Sequence, residues 1–188
     1  VSFRIPNDPS PHRSSTPPNE PYALRGDDLI TERLTLRPWP AAEITAVSAG
    51  ARHPHWAADF PADGDRVIAG FLTAHPDARG TYGHRLIAER TSGLVVGSIG
   101  LFPHGGGRLE IGYGVVPSRR CRGYATEATR ALAGFGLTAP GVHTVFAEVD
   151  PANPASVRVL RKAGLRYCGD GDTGTARFRI TTAPAPQD

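Results

Sequence analysis

The stretch V-V-P-S-R-R-C-R-G-Y-A-T, residues 115–126, decides how the rest of the chain is read. It opens as the end of an apolar strand, stops at Pro117, crosses a loop holding Arg119, Arg120 and Arg122 around Gly123, and then enters a helix. Amides in a first helical turn lack intrahelical acceptors and sit at the positive end of the peptide dipoles. A helix mouth of that kind binds phosphate. Downstream, N-P-A-S-V-R-V-L-R-K-A-G-L (153–165) follows a second strand, read over 142–150, and opens a second capped helix. Two strand ends placed this way can flank one long phosphate-bearing ligand, a geometry that suits an acyl-coenzyme A.

Immediately upstream, L-E-I-G-Y-G-V (109–115) reads as a strand. Leu109, Ile111, Tyr113 and Val115 share one face, and Glu110, Gly112, Gly114 and Val116 share the other. The second face is nearly bare, which leaves room for a ligand against the backbone. A bulged strand without a ligand is the plain alternative, and the adjacent arginine loop argues for the ligand. Tyr113 reads as a core residue rather than a stacking platform. After the loop, Ala128, Ala131, Leu132 and Phe135 form an i, i+3, i+4, i+7 stripe that buries the helix on the sheet. In the second helix Asn153 suits the N-cap, Pro154 N1, Ser156 N3 and Gly164 C′.

Further out, Leu34 and Leu36 alternate with Thr35 and Arg37 before Pro38, giving a short strand followed by a helix over 42–50. Val67, Ile68, Phe71 and Leu72 recur at helical spacing. H-R-L-I-A-E and L-V-V-G-S-I-G-L-F flank Thr91, Ser92 and Gly93 as a hairpin, with Gly97 and Gly100 as bulges or close approaches. R-Y-C-G and A-R-F-R-I-T form two closing strands around D-G-D-T-G. Strands paired first by hairpins and then through helices predict an α/β (α+β) domain built on one sheet. Residues 1–28, with six prolines from Pro6 to Pro21 and few large apolar side chains, read as a tail, and 183–188 as a shorter one. The sequence leaves open whether the first tail packs on the domain or on a second subunit, so a homodimer is compatible with it.

The 188 residues suffice for one domain over 29–182 with one core. With 39% apolar and 21% charged residues, composition argues against a wholly disordered chain and against a membrane span. A pI near 9.2 raises nucleic-acid binding. The basic residues, however, gather at Arg119, Arg120 and Arg122 and at Arg158, Arg161 and Lys162, beside the two helix mouths, so local phosphate binding is the economical reading. Two cysteines cannot build a disulfide framework and no signal peptide opens the chain, which points to the cytoplasm. H-P-H-W (53–56) lacks a third metal ligand at suitable spacing and reads as a loop, and no metal is expected. Cys121 reads as a small loop residue rather than a nucleophile.

With these segments in view, the chain resembles the GNAT superfamily of N-acetyltransferases, and within it the RimJ/RimL-like branch. The resemblance rests on Arg120, Gly123 and Ala125 in [R/Q]-x-x-G-x-[G/A], on Asn153 and Ser156 in N-x-x-S, and on Lys162 and Gly164. L-I-T-E-R-L-T-L-R-P-W (29–39) and L-E-I-G-Y-G-V extend it, so that it spans roughly 29–180. It implies a single domain with a mixed, mostly antiparallel twisted sheet, helices on both faces and a splayed central strand pair. It also implies acetyl-CoA as acyl donor and direct attack by a primary amine, on a protein N-terminus or a small molecule.

Arg120, Arg122 and the amides of Cys121, Arg122, Gly123, Tyr124, Ala125 and Thr126 would hold the pyrophosphate. The backbone of Val115 and Val116 would pair with the pantetheine amides and offer an N–H to the thioester carbonyl. Glu110 would serve as general base, with a structural carboxylate paired to Arg85 or Arg108 as the alternative. Glu89 and Glu148 are weaker candidates. Many members place a tyrosine four residues after Ser156, where this chain has Leu160. Ser156 is then the implied proton donor, against a first-turn cap alone, while Asn153 caps the helix or contacts pantetheine. His53, His55 and Trp56, if functional, would line the acceptor pocket. A non-catalytic acyl-CoA-binding or sensor module is the competing reading, favoured by Leu160. A P-loop nucleotidase is excluded by the missing G-x-x-x-x-G-K-[S/T].

Overall fold

Alternation of apolar residues builds some of the strands. In the computed structural model, which describes residues 22–171 and 174–182, Leu34 and Leu36 are fully buried on one face of a strand while Thr35 and Arg37 are not. Nine strands form one sheet: β1 (Ala23–Arg25), β2 (Asp28–Ile30), β3 (Leu34–Pro38), β4 (Arg85–Glu89), β5 (Val95–Pro103), β6 (Arg108–Val115), β7 (Thr144–Val149), β8 (Arg166–Asp170) and β9 (Ala176–Thr181). Their order across the sheet is β1-β2-β3-β4-β5-β6-β7-β9-β8. Every neighbouring strand pair is antiparallel except β6 and β7.

Among the described residues four α-helices accompany the sheet: α1 (Ala41–Ser48), α2 (Asp63–Ala74), α3 (Tyr124–Gly136) and α4 (Pro154–Ala163). Helix α3 buries Ala128, Ala131, Leu132 and Phe135, the stripe expected from the sequence, and its Gly136 lies against Leu101, Leu109 and Val145. Complete burial of a leucine such as Leu132 contributes about 1.5–3 kcal/mol. On the opposite face α2 meets the sheet through Asp65 on Ser98 and through Phe71 against His84 and Phe102. The sandwich therefore has helices on both faces, as expected.

Residues 22–28 depart from the expected tail. Tyr22 is buried edge-on against Phe135, with ring centroids 5.9 Å apart, and β1 pairs with β2. Few apolar side chains mark this stretch, which backbone pairing and the ring contact of Tyr22 help to hold. The remainder of that tail (1–21), the closing tail (183–188) and residues 172–173 of the D-G-D-T-G turn lie outside the described residues.

The β4–β5 hairpin forms where Thr91, Ser92 and Gly93 indicated, with a register shift opposite Ile87 and Ala88 that leaves Val96 as the extra residue beside Gly97. Gly97 and Gly100 are both close approaches. A Cβ at Gly97 would stand 2.1 Å from the Gly114 carbonyl oxygen, and one at Gly100 would stand 1.9 Å from Nδ1 of the buried His84. Gly100→Ala is therefore expected to destabilise the fold by roughly 1–3 kcal/mol, read as a lower urea midpoint. An unchanged midpoint would show that His84 has room to move.

Candidate active site

The two central strands part company. β6 and β7 pair at three positions, Arg108 with Thr144, Leu109 with Val145 and Glu110 with Phe146. Beyond Glu110, β6 stays with β5 as far as Val115, while β7 stays with β9 as far as Val149. The Val116 N–H donates to the Val96 carbonyl at 2.9 Å. Antiparallel alternation then directs the backbone polar groups of Ile111, Tyr113 and Val115 away from β5, into the gap. Val116 itself is fully buried and its N–H is already used, so that amide is not free to pair with a ligand. The strand ends at Val115.

At the gap's open end the chain makes one 3-10 turn, Pro117–Arg119, anchored by Asp59, whose carboxylate accepts from the Ser118 N–H at 2.8 Å and hydroxyl at 2.7 Å. Cys121 and Gly123 then adopt left-handed conformations, φ 61° and 81°. Gly123, the N-cap of α3, suits that conformation because it has no Cβ. The backbone amides of residues 121–126 have no hydrogen-bond acceptor among the described residues. That run of free amides at a helix N-terminus has the chemistry of an anion cradle.

Glu127 fixes the cradle's direction. Its carboxylate accepts from the Thr31 hydroxyl at 2.6 Å, the Arg33 N–H at 2.8 Å and the Arg33 guanidinium at 2.7 and 2.8 Å. Burial pushes the Glu127 pKa up, but these hydrogen bonds and the Arg33 charge outweigh it and hold the group below the usual range. A hollow of about 570 Å³ continues past Gly123, lined by Thr126, Arg130 and Lys162 among others.

The three loop arginines separate in role. Arg119 pairs with Glu89 at 2.9 Å. Arg120 turns back, donates Nε to the Val115 carbonyl at 3.1 Å and lines a pocket on the sheet rather than the cradle. The Arg122 side chain makes no hydrogen bond among the described residues.

Across the gap, the Asn153 side chain accepts from the Ser156 N–H at 3.1 Å, the capping bond expected from the sequence. Leu160 is buried in the core. Tyr113 is not purely a core residue: its hydroxyl crosses the gap to donate to the Ser156 carbonyl at 3.3 Å. Burial raises its pKa, partly offset by that bond. Alternation alone gave Tyr113 the correct face but no sign of its reach to α4.

On the glycine face of β6, Glu110 is partly exposed, with His104 Nδ1 at 3.7 Å. Neither expected arginine partners it. Arg85 is buried on the α3 face, donating to the carbonyls of Asp27, Leu36 and Thr81, and Arg108 Nε turns to the Gly105 carbonyl. Glu89 and Glu148 are both engaged. Burial raises the Glu89 pKa, but bonds from Ser92 and Tyr124 and the Arg119 charge hold it low. Thr175 and Arg177 hold that of Glu148 low.

A pocket of about 430 Å³ opens over Gly112 and Gly114, and its walls include Asp65, His84 and Ser98, which sequence reasoning missed. They come from α2, the loop before β4, and β5, and no spacing links them. His53, His55 and Trp56 stand outside that lining. Trp56 is buried and donates its indole N–H to Glu43 at 2.8 Å.

A family model described as an acetyltransferase (GNAT) domain matches residues 33–166. The chain belongs to the GNAT acetyltransferase family. It is 27% identical over 151 residues to the uncharacterized N-acetyltransferase YjdG of Bacillus subtilis (strain 168), covering 73% of this chain and 88% of that protein. The uncharacterized N-acetyltransferase YnaD of the same organism is 37% identical over 60 residues, 32% of this chain and 35% of YnaD. With YnaD the match thus spans about a third of the relative's length. The crystal structure of an acetyltransferase from Agrobacterium tumefaciens shares the fold, with a TM-score of 0.62 at 24% identity, covering 88% of this chain and 99% of that one. Among the described residues no cluster of His, Cys, Asp and Glu could hold a metal ion, and no helix is long and apolar enough to cross a membrane.

Burial pulls the His84 pKa from 6.5 down to about 4. As pH falls, the unfolded chain therefore takes up this proton before the folded one. Stability is expected intact above pH 6.5 and to fall progressively between there and about pH 4, by up to about 3 kcal/mol. Melting temperatures across that range check it, and His84→Leu should flatten this limb.

Proposed function

We propose that the protein transfers an acetyl group from acetyl-CoA to a primary amine by direct attack, as the RimJ/RimL-like resemblance implies. The observation that carries the reading is the divergence of β6 and β7 above a cradle of unpaired amides at the head of α3. The fit to the donor is chemical. The free amides of residues 121–126 and the Arg122 guanidinium match a diphosphate, and the unpaired edge of β6 matches a chain of amides. Acetyl-CoA, when bound, supplies an activated thioester.

The chain's own groups then act in sequence. The β6 edge orients the acyl arm, and a freed N–H near Val115 faces the carbonyl oxygen on which negative charge grows. Glu110, on the bare face of the same strand, accepts a proton from the incoming ammonium, directly or through water. The need is greater for a lysine, with pKa about 10.4, than for an α-amine near 8. The Ser156 hydroxyl, in the first turn of α4, donates to the departing thiolate. His104 beside Glu110 adds a second titratable group at the base.

One observation favours a second reading. Leu160 is buried in the core, so α4 presents no hydroxyl at that position, and an acyl-CoA-binding module without turnover would have no need of one. Thiol release from acetyl-CoA in the presence of amines separates the two readings. Glu110→Gln is expected to lower kcat by about 10²–10⁴-fold with little change in acetyl-CoA affinity. Arg122→Ala and Gly123→Asp are expected to weaken that affinity, measured by calorimetry. An unchanged dissociation constant for Gly123→Asp would remove the cradle from the site, and absence of thiol release with every amine would leave the binding module.

A further inference from the structure

The pocket over Gly112 and Gly114 has a charge pattern that bears on which amine it takes. Val67, Ile68 and Phe102 supply its apolar wall, and Val67, 71% exposed, stands on the rim as one of few large apolar side chains left in water. A Cβ on Gly114 would meet nothing within 4 Å, so the space above that residue is open. The titratable residues lining the pocket are Asp65, His84, Tyr113 and Arg120, the Tyr113 hydroxyl being turned away to Ser156.

None of the four offers a free negative charge. Asp65 is buried, and both its oxygens are used, one by the Ser98 hydroxyl at 2.5 Å and the other by the Ala62 N–H at 2.9 Å. Desolvation raises its pKa against those bonds. His84 is neutral near pH 7, and its buried Nε2 has no partner among the described residues. Tyr113 is neutral and Arg120 is a cation. Outside the lining, Asp63 stands exposed in the first turn of α2 between the lining residues Ala62 and Gly64, and the strands of this face carry Glu110 and Glu148. Glu110 stands opposite Phe102 across β5 and β6, at the pocket's edge, and Glu148 is committed to Thr175 and Arg177. One carboxylate can serve one ammonium. A second or third ammonium entering the pocket would lose its hydration without gaining a counter-charge.

We infer that this pocket selects an acceptor bearing a single amine on an uncharged, apolar body, and that it discriminates against polyamines and aminoglycosides. The inference rests on the acyl-transfer reading above and names the acceptor class for it. The amine end lies toward Glu110, and the body fills the space over Gly114 against Val67, Ile68 and Phe102.

The test is thiol-release kinetics with acetyl-CoA and four acceptors: phenethylamine, a leucine-initiated peptide amide, spermidine and kanamycin. The expected result is a kcat/KM for phenethylamine or the peptide at least about tenfold above that for spermidine and kanamycin. Turnover of the peptide alone would assign the apolar body to a polypeptide N-terminus, and turnover of phenethylamine alone to a small molecule. Val67→Glu, a surface change that adds a carboxylate to the rim, is expected to narrow the ratio in favour of spermidine. Gly114→Leu is expected to raise KM for the apolar amine while leaving acetyl-CoA affinity unchanged. Spermidine or kanamycin used as well as phenethylamine, or a ratio insensitive to Val67→Glu, would overturn the inference and leave acyl transfer standing. No thiol release with any acceptor would overturn acyl transfer itself, and the inference with it.

Discussion

Pairing between β6 and β7 ends at Glu110, and the rest of the molecule depends on that ending. A central strand edge without a partner is costly in a folded domain, because its amides and carbonyls lose water without gaining bonds. Here the cost is contained. Val115 gives its carbonyl to Arg120, and Tyr113 ties the opened strand to α4 through Ser156. β7 stays paired with β9 on its other edge from Thr144 through Val149 while it leaves β6. The gap thus lies between two strands that are each held on the outer edge, β6 by β5 and β7 by β9.

What makes the gap useful is the aim of α3. Its first turn carries no side-chain cap, so its amides remain free, and Glu127 one turn in is bound to Thr31 and Arg33 across the sheet. This arrangement uses an acidic first-turn residue as an anchor rather than as a cap. It leaves the positive end of the helix facing the loop while the negative charge is neutralised elsewhere. Asp59, holding Ser118, secures the other end of the same loop. The anion cradle is consequently fastened at both shoulders by carboxylates that do not face it.

The two faces of β6 have separate tasks. Leu109 and Ile111 point into the core under α3, whereas Gly112 and Gly114 keep the opposite face clear under α2. The pocket this creates is bordered by groups neutral or paired at physiological pH, apart from Arg120. His84 illustrates the coupling between packing and chemistry. The same tight seat against Gly100 that denies its ring water also keeps it uncharged beside the pocket.

Local chemistry made much of this legible from residue order alone. Asn153, Pro154 and Gly164 delimited α4 because capping preferences act within a few residues, and alternation assigned Leu109 and Ile111 to the core because strand side chains must alternate. Gly123 signalled its turn through the same local rule, a left-handed backbone that suits glycine. Tertiary packing alone decided that Arg120 turns back to Val115, that Arg85 lies buried on the other face from Glu110, that Tyr113 reaches α4, and that Asp65, His84 and Ser98 meet around one pocket. Those outcomes depend on which distant groups compete for each hydrogen bond and each volume once the sheet closes, and no spacing along the chain encodes that competition.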